Sequence, residues 1–449
     1  MNTNRNLFLM SLPIFVELLL QLLVGNVDQM MVSRVSQPSV AAIVNANQIM
    51  NLVIIVLSMA STAVTVILSQ YLGAQDEKNA SRTCMVSIVL IGGVSLAATI
   101  LVFAGHTPLY RAIHVPEEVF DEASLYLLIV GAFILVQGLY LTFSAMIRAF
   151  AMVKEVMIIS VIMNVMNIVG NAILINGWFG MPQLGAVGAA ISTDISKLVG
   201  LALMIGMFFK SRRVKMGMSY LRPFPVQILK NLCLLAIPTG VESFSYNLSQ
   251  MIILGIVNSF GTLVTVTKGY CTIFANIDYV YAMAIATATQ IVLGYLIGAR
   301  RLNDADVRDI VKVAIAACVG MAVLMCLGGK YIFLIFTDNP EIIALGRRIL
   351  VIEIVLEIGR AVNIVMTKCL IAVGDVLTPT TVGITFQWVV AAAGSWLLGS
   401  KLGWGLEGVW IAMAADECVR GLIYAVHFKK ERWKKNFKGV KTEAELGEA

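Results

Sequence analysis

The sequence predicts an all-α integral membrane protein with twelve transmembrane helices in two homologous six-helix bundles. Three observations carry that fold class. The first is an internal repeat: Pro13-Ile14-Phe15-Val16-Glu17 returns about 225 residues later as Pro238-Thr239-Gly240-Val241-Glu242. At the same offset Gly73-Ala74 returns as Gly298-Ala299 and Ala80 as Ala305, and with a slip of about one residue Gly105 and Pro116-Glu117 return as Gly329 and Pro340-Glu341. The second is composition: 59% of the 449 residues are apolar and 13% charged, against roughly half and a quarter in a soluble domain. Such a surplus cannot be hidden in a water-soluble core. The third is that apolar stretches of about 20 or more residues recur throughout, each long enough to cross a hydrocarbon layer of roughly 30 Å. Two homologous membrane bundles are a common architecture for carriers.

The first span, near 8–34, holds the Pro13 to Glu17 segment and Asp28. The second, 45–72, ends at Gly73-Ala74-Gln75-Asp76, and the third, 84–106, follows the basic residues Lys78 and Arg82. The fourth, 123–149, ends at Arg148, and the fifth, 156–179, carries Asn164, Asn167 and Asn171 before the turn from Gly177 to Gly180. The sixth, 185–209, opens on Gly185-Ala186-Val187-Gly188-Ala189-Ala190-Ile191 and contains Asp194 and Lys197. In the second copy the spans are 230–258, 268–298, 312–336, 347–373, 378–400 and 406–428. The last opens on Gly405-Leu406-Glu407-Gly408-Val409-Trp410-Ile411, echoing the sixth. Small residues at i and i+3 let helix backbones approach closely in lipid, so these two segments read as packing surfaces. Several spans exceed the minimum length, so tilt or kinks are expected.

The polar stretch 210–230 joins the halves. This gives an N-lobe of residues 1–209, a C-lobe of 231–428 and a basic tail of 429–449. Lys and Arg collect on the side that holds Arg5, Lys78, Arg82, Arg148, Lys154, the 210–230 joint and the tail, so both termini are expected in the cytoplasm. The net charge of +6 then reflects topology, and no aromatic-basic platform points to nucleic acid. The seven cysteines are scattered singly without metal-ligand spacing, and the three histidines never cluster. The N-terminal apolar run is too long for a signal peptide and shares the repeat, so it reads as part of the mature protein.

Charges at mid-membrane depth cost at least about 2.5–3.5 kcal/mol on insertion scales and normally face a partner, a cavity or a pathway. The informative set is Glu17, Asp28, Asp194, Lys197, Glu242, Asp278, Glu353, Glu357, Arg360, Asp416, Glu417 and Arg420. Asn164, Asn167 and Asn171, at i, i+3 and i+7, form one polar stripe. Three such amides either solvate a cation or a protonated acid, or glue helices together, and spacing does not choose. Glu357 and Arg360 share a face and neutralise each other; Asp416 with Arg420, and Asp194 with Lys197, read as stabilising pairs. Glu17, near the inner end of its span, is expected to reach water. Asp28 has no cation within a turn, and a carboxylate desolvated without a counter-charge favours its protonated form, as a proton carrier requires.

At these residues the chain resembles the multidrug and toxic compound extrusion family, in its bacterial NorM/DinF-like branch. The resemblance runs over nearly the whole length: Val27-Asp28-Gln29-Met30-Met31-Val32, Gln70 to Ala74, Asn167 to Asn171, and Gly185 to Ile191 each look like a family segment. It implies a V-shaped twelve-helix antiporter in the cell membrane, exporting organic cations and amphipathic drugs against an inward proton or sodium gradient, with no cofactor beyond that gradient. It further implies that Asp28 and Asn167 belong to an N-lobe coupling site. Asn171 stands where many relatives have Asp, and Arg360 where some have an acid, with Glu357 one turn earlier. Glu242 lies about one turn from the Glu of the sodium-dependent branch, so any sodium site would use Glu242 and Glu357. Protons are favoured, because Arg360 beside Glu357 repels a cation while Asp28 among amides suits a proton. Met31, Tyr246, Met251, Tyr270, Phe274 and Asp278 are the candidate lining of a substrate cavity, since Met repacks and aromatic faces attract cations. A monomer is expected.

The rival carriers fit less well. Gly73 to Arg82 lacks the second glycine and paired basic residues of the major-facilitator loop, and helices 1, 2, 7 and 8 offer almost no Arg or Lys for the pyrophosphate of a lipid-linked flippase substrate. An enzyme is not expected, because no His-Glu-x-x-His, Gly-x-Ser-x-Gly or Walker segment is present.

Overall fold

A computed structural model describes residues 3–33, 37–112, 115, 117–301, 304–334 and 337–430, leaving aside the side chains of 3–6, 24–30, 33, 37, 112, 179, 304–307, 325 and 329–332. The described residues form thirteen α-helices and no strand. Seven helical spans among the described residues are long and apolar enough to cross a membrane singly, and one bent pair makes an eighth. Three more of comparable length carry the buried charges: α8 (Val226–Asn258), α11 (Pro340–Ala372) and α13 (Gly405–Lys429). With α1 (Thr3–Ser33) and the bent pair taken as one span, the helices make the expected twelve. By contacts the chain divides into two compact units, Val16–Ile237 and Met1–Phe15 with Pro238–Ala449. Both boundaries fall at the two copies of the Pro-x-x-Val-Glu segment.

In the first unit, α2 (Gln37–Gly73), α3 (Glu77–Ala112), α4 (Glu117–Ala132), α5 (Ile134–Ala149), α6 (Val153–Asn176) and α7 (Gly185–Ser211) follow one another. The fourth span is not straight: α4 and α5 meet at Phe133 with a 45° bend. A kink frees carbonyls that lipid cannot satisfy. The Gly131 carbonyl accepts the Thr99 hydroxyl from α3 at 3.3 Å. Helices also outrun their apolar stretches, as when α3 begins seven residues earlier than the hydrophobic run, because polar ends keep their hydrogen bonds in the interface. Asp76 caps α3 by accepting from the Asn79 backbone at 3.0 Å. The joint after α7 is tied back where the Lys215 N–H donates to Ser81 Oγ at 3.1 Å.

In the second unit, α8, α9 (Thr262–Gly298), α10 (Asp304–Leu334), α11, α12 (Leu377–Phe386) and α13 repeat that order. Asn339 caps α11 by accepting from Glu341 N at 2.9 Å, with Pro340 in the first turn. Beyond Phe386 the α12 span continues through two π-helical stretches, Gln387–Ala392 and Ser395–Lys401. The core centres on Phe274, Phe333, Leu356 and Trp410. α11 packs on α9, α10 and α13, and its crossing with α13 is close because Gly359 lies against the Cys418 backbone, where a Cβ would sit 2.6 Å from the amide nitrogen. The small-residue segments act as the sequence suggests. A Cβ at Gly188 would come within 2.6 Å of Leu174 O, and one at Gly408 within 2.8 Å of Leu398 O.

Candidate functional site

Helical periodicity brings Glu353, Glu357 and Arg360 to one face of α11, and the close α11–α13 crossing sets Asp416, Glu417 and Arg420 beside them. Arg360 pairs with Glu357 and reaches Glu353 at 3.4 Å, while Nη1 also donates to the Ala275 carbonyl of α9 at 3.4 Å. Glu353 further accepts from the Trp410 indole at 2.6 Å. On α13, Arg420 grips Asp416 at 2.5 Å and Glu417 at 3.2 Å. Asn363 donates to Glu417 at 2.5 Å, joining the two clusters. Asp278 of α9 is 1% exposed, its Oδ1 has no hydrogen-bond partner among the described residues, and it lies in the fields of Glu353 and Arg360. Glu242 of α8 accepts from the Gln387 amide at 2.7 Å and feels Arg420, Glu417 and Lys368.

Charge within this unit does not balance. Among the described residues, the charges acting on Glu242, Asp278, Glu353, Glu357, Asp416 and Glu417 from basic side chains are those of Arg360, Arg420 and Lys368. An isolated charge taken out of water costs several kcal/mol, so surplus carboxylates of this kind hold either protons or a mobile cation.

The first unit holds the asparagine stripe. Asn167 donates to Thr193 Oγ1 of α7 at 3.1 Å, Asn171 to Asn167 Oδ1 at 3.4 Å, and Ser192 to the Asn167 carbonyl at 2.9 Å. The stripe therefore joins α6 to α7, while the buried Asn164 Nδ2 has no partner among the described residues. The side chain of Asp28 on α1 lies outside the described residues, and so do those of Met30 and Arg34. Asp194 is buried on α7, with Lys197 acting on it. Glu17 does not reach water. It is 0% exposed and pairs with Arg148 of α5 at 2.5 Å, because the helix carries it into the unit beneath a basic side chain.

Of the expected cavity lining, Met31, Tyr246 and Tyr270 are half-buried and Met251 is 70% exposed. Phe274 packs edge-on against Phe333 at 5.4 Å within the core. Thus the structure brings Glu357 and Arg360 into contact and sets Asp278 near them, and it holds Glu242 separately through Gln387. Reading by charge alone missed Gln387, Asn363, Trp410 and the pair formed by His427 and Asp375 at 2.8 Å. A lone amide inside an apolar run was the available signal for Gln387.

The MatE family model matches residues 13–173 and again 238–397, once per repeat. The chain is 34% identical over 430 residues to the uncharacterized transporter YisQ of Bacillus subtilis, covering 95% of this chain and 94% of that protein. It is 23% identical over 440 residues to the probable multidrug resistance protein NorM of Thermotoga maritima, covering 96% and 93%. Among solved structures, a mutant of the Vibrio cholerae MATE transporter VcmN superposes with a TM-score of 0.87 at 21% identity, covering 96% of this chain and 97% of that one. A MATE structure in the bent conformation superposes with a TM-score of 0.87 at 18% identity, covering 97% and 96%. Two matches of one family model in register with the internal repeat, on a membrane fold of this kind, place the chain in the MatE family of multidrug and toxic compound extrusion transporters.

Proposed function

We propose that this transporter is a cation-coupled antiporter in the bacterial cell membrane, with both termini cytoplasmic, which exports organic cations and amphipathic drugs by alternating access. The observation that carries the reading is the surplus of buried carboxylates in the second unit. Such a set binds a cationic drug or the coupling cation, and competition between them for the same negative charge links export of one to entry of the other. The names of the NorM relatives support drugs as the exported class.

Protons are the coupling ion favoured here. Arg360 already occupies Glu357, and a proton needs only one carboxylate whereas sodium needs several oxygens. Asp28 with the asparagine stripe would serve the first unit in the same way. The test is drug export by purified protein in liposomes with the gradients separated. Collapsing the pH gradient at fixed sodium should abolish export, and replacing sodium with potassium should leave it nearly intact. Export that follows sodium alone would assign the coupling to sodium at Glu242.

A further inference from the structure

We propose that the chain contains two copies of one cation site, and that in the first copy the guanidinium of Arg148 stands permanently where the second copy takes up the coupling ion. The inference rests on the cation-coupled reading above. Register between the copies is set by the backbone. Ala151 and Gly374, with φ of 61° and 83°, are the left-handed residues that follow α5 and α11. Counting from them, Tyr140 corresponds to Asn363, Arg148 to Ile371, Ser160 to Gly383 and Asn164 to Gln387. Glu17 and Glu242 correspond through the Pro-x-x-Val-Glu segment itself.

In the second unit these counterparts gather on Glu242. Gln387 donates to it at 2.7 Å, a Cβ at Gly383 would sit 3.2 Å from its Cγ, and Asn363 holds Glu417, whose charge acts on it. In the first unit Arg148 and Tyr140 meet Glu17. Arg148 pairs with it at 2.5 Å, Gln21 donates to it at 3.3 Å, and Tyr140 stands beside Glu17, Arg148 and Ser160. The two constellations differ chiefly in one charge. Where the first has Arg148, the second has the buried apolar Ile371. Arg420 is already held by Asp416 and Glu417, and among the described residues neither it nor Lys368 forms an ion pair with Glu242.

The first copy also keeps the polar lining of a ligand site. Among the described residues, Glu17 Oε2, Arg148 Nε and Asn164 Nδ2 are all buried without a hydrogen-bond partner. Polar atoms in that state call for a small ligand such as water or an ion. A cation tethered to the protein is present at a very high effective concentration, so a free ion does not displace it. Arg148 thereby fixes the number of exchanging ions: the first copy gives none and the second gives its own. Arg148 and Tyr140, both on α5, face Glu17.

The experiment counts coupled ions per molecule of ethidium, taken from the opposing gradient that halts transport by the full chain in liposomes, with proton and sodium arms run separately. Arg148→Gln should raise that number by one in the arm to which the wild type responds. Arg148→Lys, and the neutral pair Glu17→Gln with Arg148→Gln, should keep the wild-type number. Ile371→Arg installs the tethered cation in the second copy and should lower that number by one. A folded Arg148→Gln with the wild-type number overturns the inference, and so does a folded Ile371→Arg with the wild-type number, so either variant decides if the other fails to fold. Wild-type protein that moves ethidium independently of both gradients overturns the cation-coupled reading as well, whereas wild-type coupling with unchanged variants overturns this inference alone.

Discussion

Arg360 is one positive charge set between Glu353 and Glu357, all three buried on α11. Removing it strands two carboxylates at a depth where water does not compensate them. Breaking a buried pair by deleting one partner costs about 3–5 kcal/mol, so Arg360→Ala should yield far less folded protein and a large fall in melting temperature in detergent. Replacing Glu357 and Arg360 together by Met should recover much of that loss, since no charge is then left unpaired. A single variant as stable as wild type would show that the carboxylates are protonated without their arginine. At this scale the sequence displays only partners within a turn or two. The i, i+3 spacing of Glu357 and Arg360 is visible by eye, as is the i, i+4 pair of Asp416 and Arg420. Trp410 with Glu353, Asn363 with Glu417 and Gln387 with Glu242 lie 57, 54 and 145 positions apart. Helical periodicity carries no information about contacts that only the tertiary fold creates.

Among the helices, α12 contributes most that was not foreseen. Its π-helical stretch begins at Gln387 and turns both Gln387 and Trp388 onto α8, the indole donating to Ser245 Oγ at 3.0 Å. Extra residues in a helical turn frequently mark functional sites because they re-aim side chains. Gln387→Leu should therefore leave Glu242 without its donor and weaken coupling while export at saturating gradient persists. The readout is the gradient required for half-maximal drug export, and an unchanged requirement would reduce Gln387 to packing. The glycine contacts are the opposite case, legible from sequence because small-x-x-small spacing has a single geometric use in lipid. Gly188→Ala and Gly408→Ala each drive a methyl against a backbone carbonyl, and overpacking of that kind costs about 1–3 kcal/mol. Both should lower the melting temperature, which a thermal scan of the purified variants measures. Helix lengths were less legible, since apolar runs report the hydrocarbon layer while hydrogen bonding continues past it, and the Gly131 carbonyl beside the bend at Phe133 is met by Thr99 from another helix.

For the whole chain, duplication is the organising fact, and it was written in the sequence as a pentapeptide and a handful of glycines at one offset. Duplication gives two equivalent sets of positions but not two equivalent chemistries. The second unit concentrates carboxylates on α8, α9, α11 and α13, while the described part of the first offers amides, Asp194 and the pair formed by Glu17 and Arg148. Sequence reading favours Asp28 on α1 as the coupling acid, and the charge surplus favours the second copy, so the two locations make opposite forecasts for a matched pair of variants. Asp28→Asn and Glu242→Gln each remove one negative charge and keep side-chain shape, so both should reach the membrane in wild-type amounts. If coupling runs through both copies, each variant should lose most gradient-driven export, and Asn171→Asp, which adds an acid to the stripe, should shift the pH dependence of transport. Efflux from inside-out vesicles, normalised to the amount of transporter, reads all three. Export that survives Asp28→Asn at the wild-type rate and pH profile but fails in Glu242→Gln would confine coupling to the second copy, where the uncompensated carboxylates are.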